Sequence, residues 1–378
     1  MIENGVELQV EIHDLSRFTK YSSCNKEIHV KLQREITTYL NYSLPLCAIL
    51  WDRKKENWTY EHFTQLYCIK DKNDYLWLDY LEDILFPQDV SDYIFIPSDD
   101  LKNENDIIFL IKEKVSLCNC LMIFLDKYYI SNSRNYLKRH DIFQAFIYGY
   151  DDVSNEFLGI GFQDNNTFDY LHYSYSDVSE AYTSCRNGYE SSPIWVRLYA
   201  CVLIKVKNLG EEHKCNFTKI ISDMKNYVSS IGYESDLRYE IKVCRGTNAT
   251  YGINVIKEVI DHLKRLLDDT WTIDYRHIHL LYEHKRLMKK RIEFLGQIYG
   301  FNDDKFSKSL SIYTSIEKSF ETAKAIYMKS ILAQTNYKSI YGCLKNADTI
   351  KKIISIYENE IHREEEILSY IIYRCSNG

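Results

Sequence analysis

The sequence predicts an α+β protein with a mixed front part and a mostly helical back part. Before residue 207, short apolar and aromatic runs bounded by turn residues recur, as is typical of sheet strands. After Val206, apolar residues recur every three or four positions, which indicates one buried face on each of several helices. We therefore expect two domains, over residues 1–207 and 208–378.

The front part is expected to hold one helix, over Asn25–Leu40, and a set of strands. The predicted strands are Gln65–Lys70, Asp92–Pro97, Leu121–Ile130, Phe143–Tyr150, Glu156–Gln163 and Trp195–Lys207. The turn-forming run Asp151–Asn155 separates two of them and favours a hairpin in which Tyr150 faces Glu156.

Three long helices are expected in the back part. Apolar residues at helical spacing stripe residues Ile273–Tyr299, with a polar break at Lys285. Asn302, followed by two aspartates, resembles the start of the next helix, and the last helix begins near Asp348. These stripes predict a helical bundle.

Composition and charge exclude several classes of function. The net charge of −7 makes nucleic acid an unfavourable partner. The first residues lack the pattern of an export signal, and the most apolar stretch, Leu198–Val206, is too short to span a membrane. The 11 cysteines are irregularly spaced, as in reduced cytoplasmic proteins. We expect a cytoplasmic protein with no membrane or nucleic-acid partner.

Motifs for cofactors are absent from the sequence. There is no phosphate-binding glycine loop, no dinucleotide fingerprint and no HExxH. Cys118 and Cys120 form a lone CxC motif. A zinc site needs further ligands, so we interpret these two cysteines as core thiols. No cofactor and no metal are therefore expected.

Cys24 is the candidate nucleophile. It precedes the helix predicted over Asn25–Leu40, and a helix N-terminus lowers a thiol pKa and supplies N–H groups for an oxyanion. Such a cysteine can equally be inert. Ser22 and Ser23 are further candidates for the oxyanion donors.

His140 and Asp164 are the candidate base and its orienting acid. His140 precedes one strand of the predicted hairpin and Asp164 follows the other, so antiparallel pairing brings both to the end away from the turn. Asn165 is the alternative to Asp164. A simpler interpretation makes His140 a surface histidine in a basic loop with Arg134, Lys138 and Arg139.

A Cys at a helix N-terminus, then a His before a strand, then an Asp after the next strand is the order found in papain-like enzymes. The segment LDKYYISNSRNYLKRHDIFQAFIYGYDD resembles the D-x-Y-Y…Y-x-x-H…IYGYDD pattern of the butirosin biosynthesis protein H family, which is allied to the C39-like cysteine peptidases. The helical segment DYRHIHLLYEHKRLMKKRIEFL is also similar to that family's C-terminal half. One departure is Phe143, where members often carry a second His.

The resemblance implies a papain-like (C39-like) fold and an amide synthetase of nonribosomal natural-product biosynthesis. Cys24 would take an acyl chain from a carrier-protein phosphopantetheine thioester, and His140 with Asp164 would activate a small amine or diamine. The basic stretch from His284 to Arg291 is a candidate docking patch for an acidic carrier protein, or simply a solvated helix face. A cysteine hydrolase and an inactive carrier-binding scaffold are the alternatives.

Overall fold

The structure is a computed structural model that falls into two compact units. It describes residues 24–70, 75–82, 89–96, 106–164, 167–187, 201–208, 212–238, 241–242, 245–268, 274–332 and 346–377. One unit lies within Met1–Lys55 and Leu85–Glu212, the other within Glu56–Ile84 and His213–Gly378. The later boundary lies close to the one predicted after residue 207, but the segment 56–84, expected in the front domain, belongs to the second unit.

The first unit contains both strands and helices, and helices dominate the second. The described strands are β1 Asn25–Glu27, β2 Leu66–Lys70, β3 Leu76–Tyr80, β4 Ser91–Ile96, β5 Cys120–Asp126, β6 Ile142–Asp151, β7 Glu156–Phe162, β8 Phe168–Ser174, β9 Cys201–Val206 and β10 Ala249–Tyr251. The described α-helices are α1 Leu40–Ile49, α2 Trp58–Glu61, α3 Asp106–Ser116, α4 Tyr175–Asn187, α5 Phe217–Val228, α6 Asn254–Asp268, α7 Tyr275–Ile298, α8 Asp304–Leu332 and α9 Ala347–Asn377. The predicted α+β class is confirmed at this level.

The first unit is built on an antiparallel sheet in the order β4-β9-β5-β6-β7-β8, with β1 paired to β6. The central strand β5 is buried on both faces. Leu121, Ile123 and Leu125 pack with α3 and α4, whereas Met122 and Phe124 pack with α1. Because side chains alternate along a strand, this pattern makes a three-layer arrangement of helix, sheet and helices.

The β6–β7 hairpin was predicted almost to the residue. Phe146 pairs with Ile160, as expected from the predicted register, and an irregularity follows between Ile147 and Gly149. Nearer the turn, Glu156 faces Asp151 rather than Tyr150. The one-residue shift is the signature of a β-bulge.

The helix predicted over Asn25–Leu40 is wrong. Residues 25–27 form β1 on the edge of β6, and the helix begins only at Leu40. The buried side chain of Gln33 accepts hydrogen bonds from the N–H groups of Glu35 and Ile36 and donates to the carbonyl of Ser43. These contacts satisfy the backbone of this stretch without a helix, so tertiary pairing overrides the local pattern.

The second unit holds the small sheet β10-β2-β3 and the long helices. Helices α7, α8 and α9 cover the three predicted helical segments, and α8 packs against both α7 and α9. The carboxylate of Asp303 caps α8 by accepting from the N–H of Phe306 at 3.0 Å. None of the helices in the described part of the chain combines the length and apolarity needed to cross a bilayer.

Candidate active site

The most developed polar site in the first unit is a histidine–aspartate pair where β5 ends and β6 begins. Asp126, the last residue of β5, faces Ile142, the first residue of β6. The chain between them loops out and returns, which puts His140 beside Asp126. The Nδ1 atom of His140 lies 2.6 Å from Oδ2 of Asp126.

Asp126 is held as a carboxylate. Its side chain is only 4% exposed, and it accepts hydrogen bonds from the N–H groups of Tyr128 and Asp141 and from the hydroxyl of Ser184 at 2.9 Å. Burial opposes its ionisation, but the hydrogen bonds from His140 and these three groups outweigh it, and the pKa of Asp126 lies below its ordinary value.

His140 is held by Asp126 and is open on its other side. Its ring stacks on Tyr128 with centroids 4.3 Å apart, while its side chain is 64% exposed. Among the described residues nothing hydrogen-bonds to Nε2. When Nδ1–H donates to a carboxylate, the neutral ring carries its lone pair on Nε2. This arrangement suits a general base that works on a substrate arriving from outside.

Ser184 and Cys185 connect α4 to this site. The Ser184 hydroxyl donates to the carboxylate of Asp126, so it helps to hold that carboxylate in place. Burial, followed by the negative charge of Asp126, raises the pKa of Cys185 far above its ordinary value. Cys185 is therefore a neutral core thiol. In the described part of the chain, no cluster of three or more His, Cys, Asp or Glu side chains could hold a metal ion.

Cys24 does not lie near His140. It is exposed and precedes β1, where Asn25 pairs with Asp151 at the turn end of β6. His140 precedes the opposite end of this 10-residue strand. Because a strand rises about 3.3 Å per residue, the length of β6 separates Cys24 from His140 by about 30 Å. Cys24 also starts no helix, so the effect expected to activate its thiol is missing.

Asp164 does not orient His140. It lies at the predicted end of the hairpin, but its carboxylate accepts a hydrogen bond from the N–H of Arg134. Within the described residues no hydrogen bond or ion pair joins it to His140. Asn165, Ser22 and Ser23 lie outside the described residues. The structure thus brings His140 together with Asp126, not with Cys24 or Asp164.

Phe143 cannot substitute for the second histidine of the resembled family. It faces Leu125 across the β5–β6 pair and packs at the edge of the core beside Tyr173.

Three of the six basic residues in the candidate docking stretch of α7 are buried. His284, Lys285 and Arg291 are fully buried. Lys285 pairs with Glu364, and the Arg291 guanidinium donates to the carbonyls of Tyr60 and His62. Both the expected docking role and the simpler expectation of a solvated face are wrong for these three residues.

Comparison with known protein families gave no match, and comparison with curated proteins gave none either. The likeness to the butirosin biosynthesis protein H family therefore stays a prediction from the segment that holds Asp126 and His140.

The Asp126→Asn variant tests the electrostatics of this pair. Because the folded state lowers the pKa of Asp126, its stabilisation is present above the unfolded pKa of about 3.9 and is lost as pH falls through the lower folded value. We expect the gap in free energy of unfolding between wild type and variant to be wide at neutral pH and to shrink in acid. Denaturant titrations across this range measure the gap, and a gap independent of pH would contradict the assignment.

Proposed function

We propose that the protein is an acyl-transfer enzyme that forms an amide from an acyl thioester and an amine, with His140 as general base. The observation that carries the proposal is the 2.6 Å contact that orients His140 on the buried Asp126 while its Nε2 has no partner among the described residues. The same imidazole–carboxylate pairing supports proton transfer in many acyl-transfer enzymes.

The proposed step needs only His140 and the substrates. The amine nitrogen attacks the thioester carbon, and Nε2 of His140 takes the proton that the nitrogen loses. The C–S bond of the tetrahedral intermediate then breaks, the C–N bond remains, and the imidazolium returns the proton to the leaving thiolate. A thioester is already activated, so the reaction consumes no nucleoside triphosphate.

The exposure of His140 fits a substrate delivered on another molecule. The side chain of His140 is 64% exposed. A thioester on a long flexible arm, such as the phosphopantetheine of a carrier protein, can reach it easily. The amide synthetase function implied by the resemblance therefore stays our proposal, with a different route. Asp126 replaces Asp164 as the orienting acid, and direct attack by the amine replaces an acyl-enzyme on Cys24.

A second candidate function is a binding scaffold without catalysis. Two observations favour it. Cys24 and His140 lie about 30 Å apart, as the length of β6 gives at about 3.3 Å per residue, and Phe143 stands in place of a histidine. A cysteine hydrolase has less support than either, because Cys185, the thiol that the described residues place beside Asp126, is neutral.

Intact-mass spectrometry separates the direct route from the cysteine route. The protein is mixed with S-acetyl pantetheine in the absence of an amine, together with a Cys24→Ala variant. We expect no stable acyl adduct on either chain. A mass gain of one acetyl group on wild type that disappears in Cys24→Ala would restore Cys24 as the nucleophile and contradict direct attack.

A further inference from the structure

The loop that leads into His140 is exposed along most of its length. We name residues 131–139 the entry loop. It lies between the short 3-10 helix Lys127–Tyr129 and the start of β6, and it carries Tyr136 at 38% and Leu137 at 59% exposure. Lys138 and Arg139 follow, also exposed, and precede the candidate base directly.

The entry loop is fixed by hydrogen bonds along its length. Ser131 donates from its N–H and its hydroxyl to the carboxylate of Asp177 on α4, at 2.7 and 2.6 Å. Arg134 donates its N–H to Asp164, and Leu137 donates its N–H to the carbonyl of Tyr128 at 2.9 Å. The carboxylate of Asp164, expected to serve His140, thus secures this loop instead.

Leu137 adopts a conformation that this residue type rarely takes. Its φ is +52°, in the left-handed region, and the fixed backbone turns its apolar side chain out to solvent. At 59% exposure the Leu137 side chain contributes little packing to the fold, and it is available for contact with another molecule.

The two cations next to Leu137 are uncompensated. Lys138 and Arg139 have no carboxylate partner among the described residues, whereas the nearby Asp141 lies 3.4 Å from Lys127. Asp164 in turn is engaged by Arg134. The end of the loop therefore presents a local positive charge on a chain whose net charge is −7.

We infer that the entry loop is the docking surface for an acidic protein that presents the thioester to His140. This inference rests on the proposed function. An exposed apolar side chain flanked by free cations matches an apolar depression with acidic residues around it on a partner protein. A free small ligand would instead need an enclosing pocket. On a chain whose net charge is −7, this local positive patch favours docking of an acidic partner in one orientation.

A charge-reversal variant tests the docking surface. The probe is an acidic acyl carrier protein loaded with acetyl-phosphopantetheine, and its binding is measured by interferometry, which needs no turnover. The variant Lys138→Glu/Arg139→Glu should weaken binding about 10-fold or more and reduce its dependence on salt. The matched control is Lys351→Glu/Lys352→Glu, two adjacent exposed lysines on α9 that undergo the same change in charge.

Leu137→Gly tests the apolar part of the surface. Glycine accepts a positive φ without strain, so the fold should be kept or slightly stabilised while carrier binding falls several-fold. The Lys351→Glu/Lys352→Glu control should keep the wild-type rate with S-acetyl pantetheine, which lacks the carrier.

The outcomes separate docking from catalysis. Carrier binding that is lost in the loop variants but kept in the control supports the docking surface, even if wild type forms no amide and the proposed function fails. Equal carrier binding by loop variants and control, or no binding by wild type, overturns the docking surface, even if amide is formed from S-acetyl pantetheine.

Discussion

Replacing His140 with alanine is expected to lower kcat/KM for amide formation by about 10²- to 10⁴-fold, the usual contribution of a positioned general base. The free energy of unfolding should change little, because the imidazole is largely exposed and its loss leaves Asp126 with three other donors. Initial rates with S-acetyl pantetheine and a diamine, followed by chromatography and mass spectrometry of the amide, measure the effect.

His172 provides the matched control for this variant. It lies on β8 in the same unit, its side chain is 59% exposed, and its Nδ1 is 3.2 Å from the carboxylate of Glu156. A His172→Ala variant should keep wild-type activity. If both alanine variants retained full activity, an exposed imidazole beside a carboxylate would have no catalytic role, and the general-base assignment would be wrong.

The second large effect is expected in the helical unit, where Lys285 and Glu364 form an ion pair with no exposure to solvent. Nζ of Lys285 lies 2.7 Å from the carboxylate and 2.6 Å from the hydroxyl of Tyr227, and Tyr313 donates to Glu364 at 2.8 Å. Removing one partner of such a pair leaves a buried charge unmatched. The Glu364→Ala variant should lose about 3–5 kcal/mol of unfolding free energy.

Burial lowers the pKa of Lys285 and the negative charge of Glu364 raises it. Burial has the larger effect, so the pKa of Lys285 lies below its ordinary value. Without Glu364 that pKa should fall further, and the variant should gain stability relative to wild type as pH rises. The control is Glu358→Ala, which removes the carboxylate of an exposed ion pair with Lys264. Denaturant titrations of this control, of Glu364→Ala and of Lys285→Met/Glu364→Leu measure these effects. The double variant should recover most of the loss, and a Glu364→Ala variant as stable as Glu358→Ala would contradict the account.

The long helices were predictable because their signals are local. The stripe of α7 recurs within a few residues, and Asp303 caps α8 next to the predicted Asn302. The polar break at Lys285 was visible too, but a sequence pattern cannot show that Glu364, far along the chain, pairs with it. Because that long-range contact leaves no local signal, the sequence predicts a surface location for this cluster of basic residues.

The N-terminal error has the same physical origin. Residues after Cys24 carry a helix-like spacing, yet β1 pairs with β6, more than a hundred residues away. Short local patterns are weak when a sheet edge offers hydrogen bonds to the same backbone. The expected activation of the Cys24 thiol depended on that helix and is absent without it.

The site was half predictable. His140 stood out by its position before a strand, and the register of the β6–β7 hairpin was derived nearly correctly. The hairpin register predicts Asp164 beside His140, whereas the β5–β6 pairing on the other side of the same strand brings Asp126 to His140. Asp126 also opens the D-x-Y-Y run that leads to His140, so a signal was present. No pattern in the sequence pointed to Ser184 on α4.

The central claim is that His140, and not Cys24, drives amide formation. The most direct test compares wild type, Cys24→Ala and His140→Ala in one assay, with S-acetyl pantetheine and a diamine as substrates and the amide product as the readout. The account predicts equal rates for wild type and Cys24→Ala and almost no product with His140→Ala. Loss of product in Cys24→Ala with an active His140→Ala would contradict it.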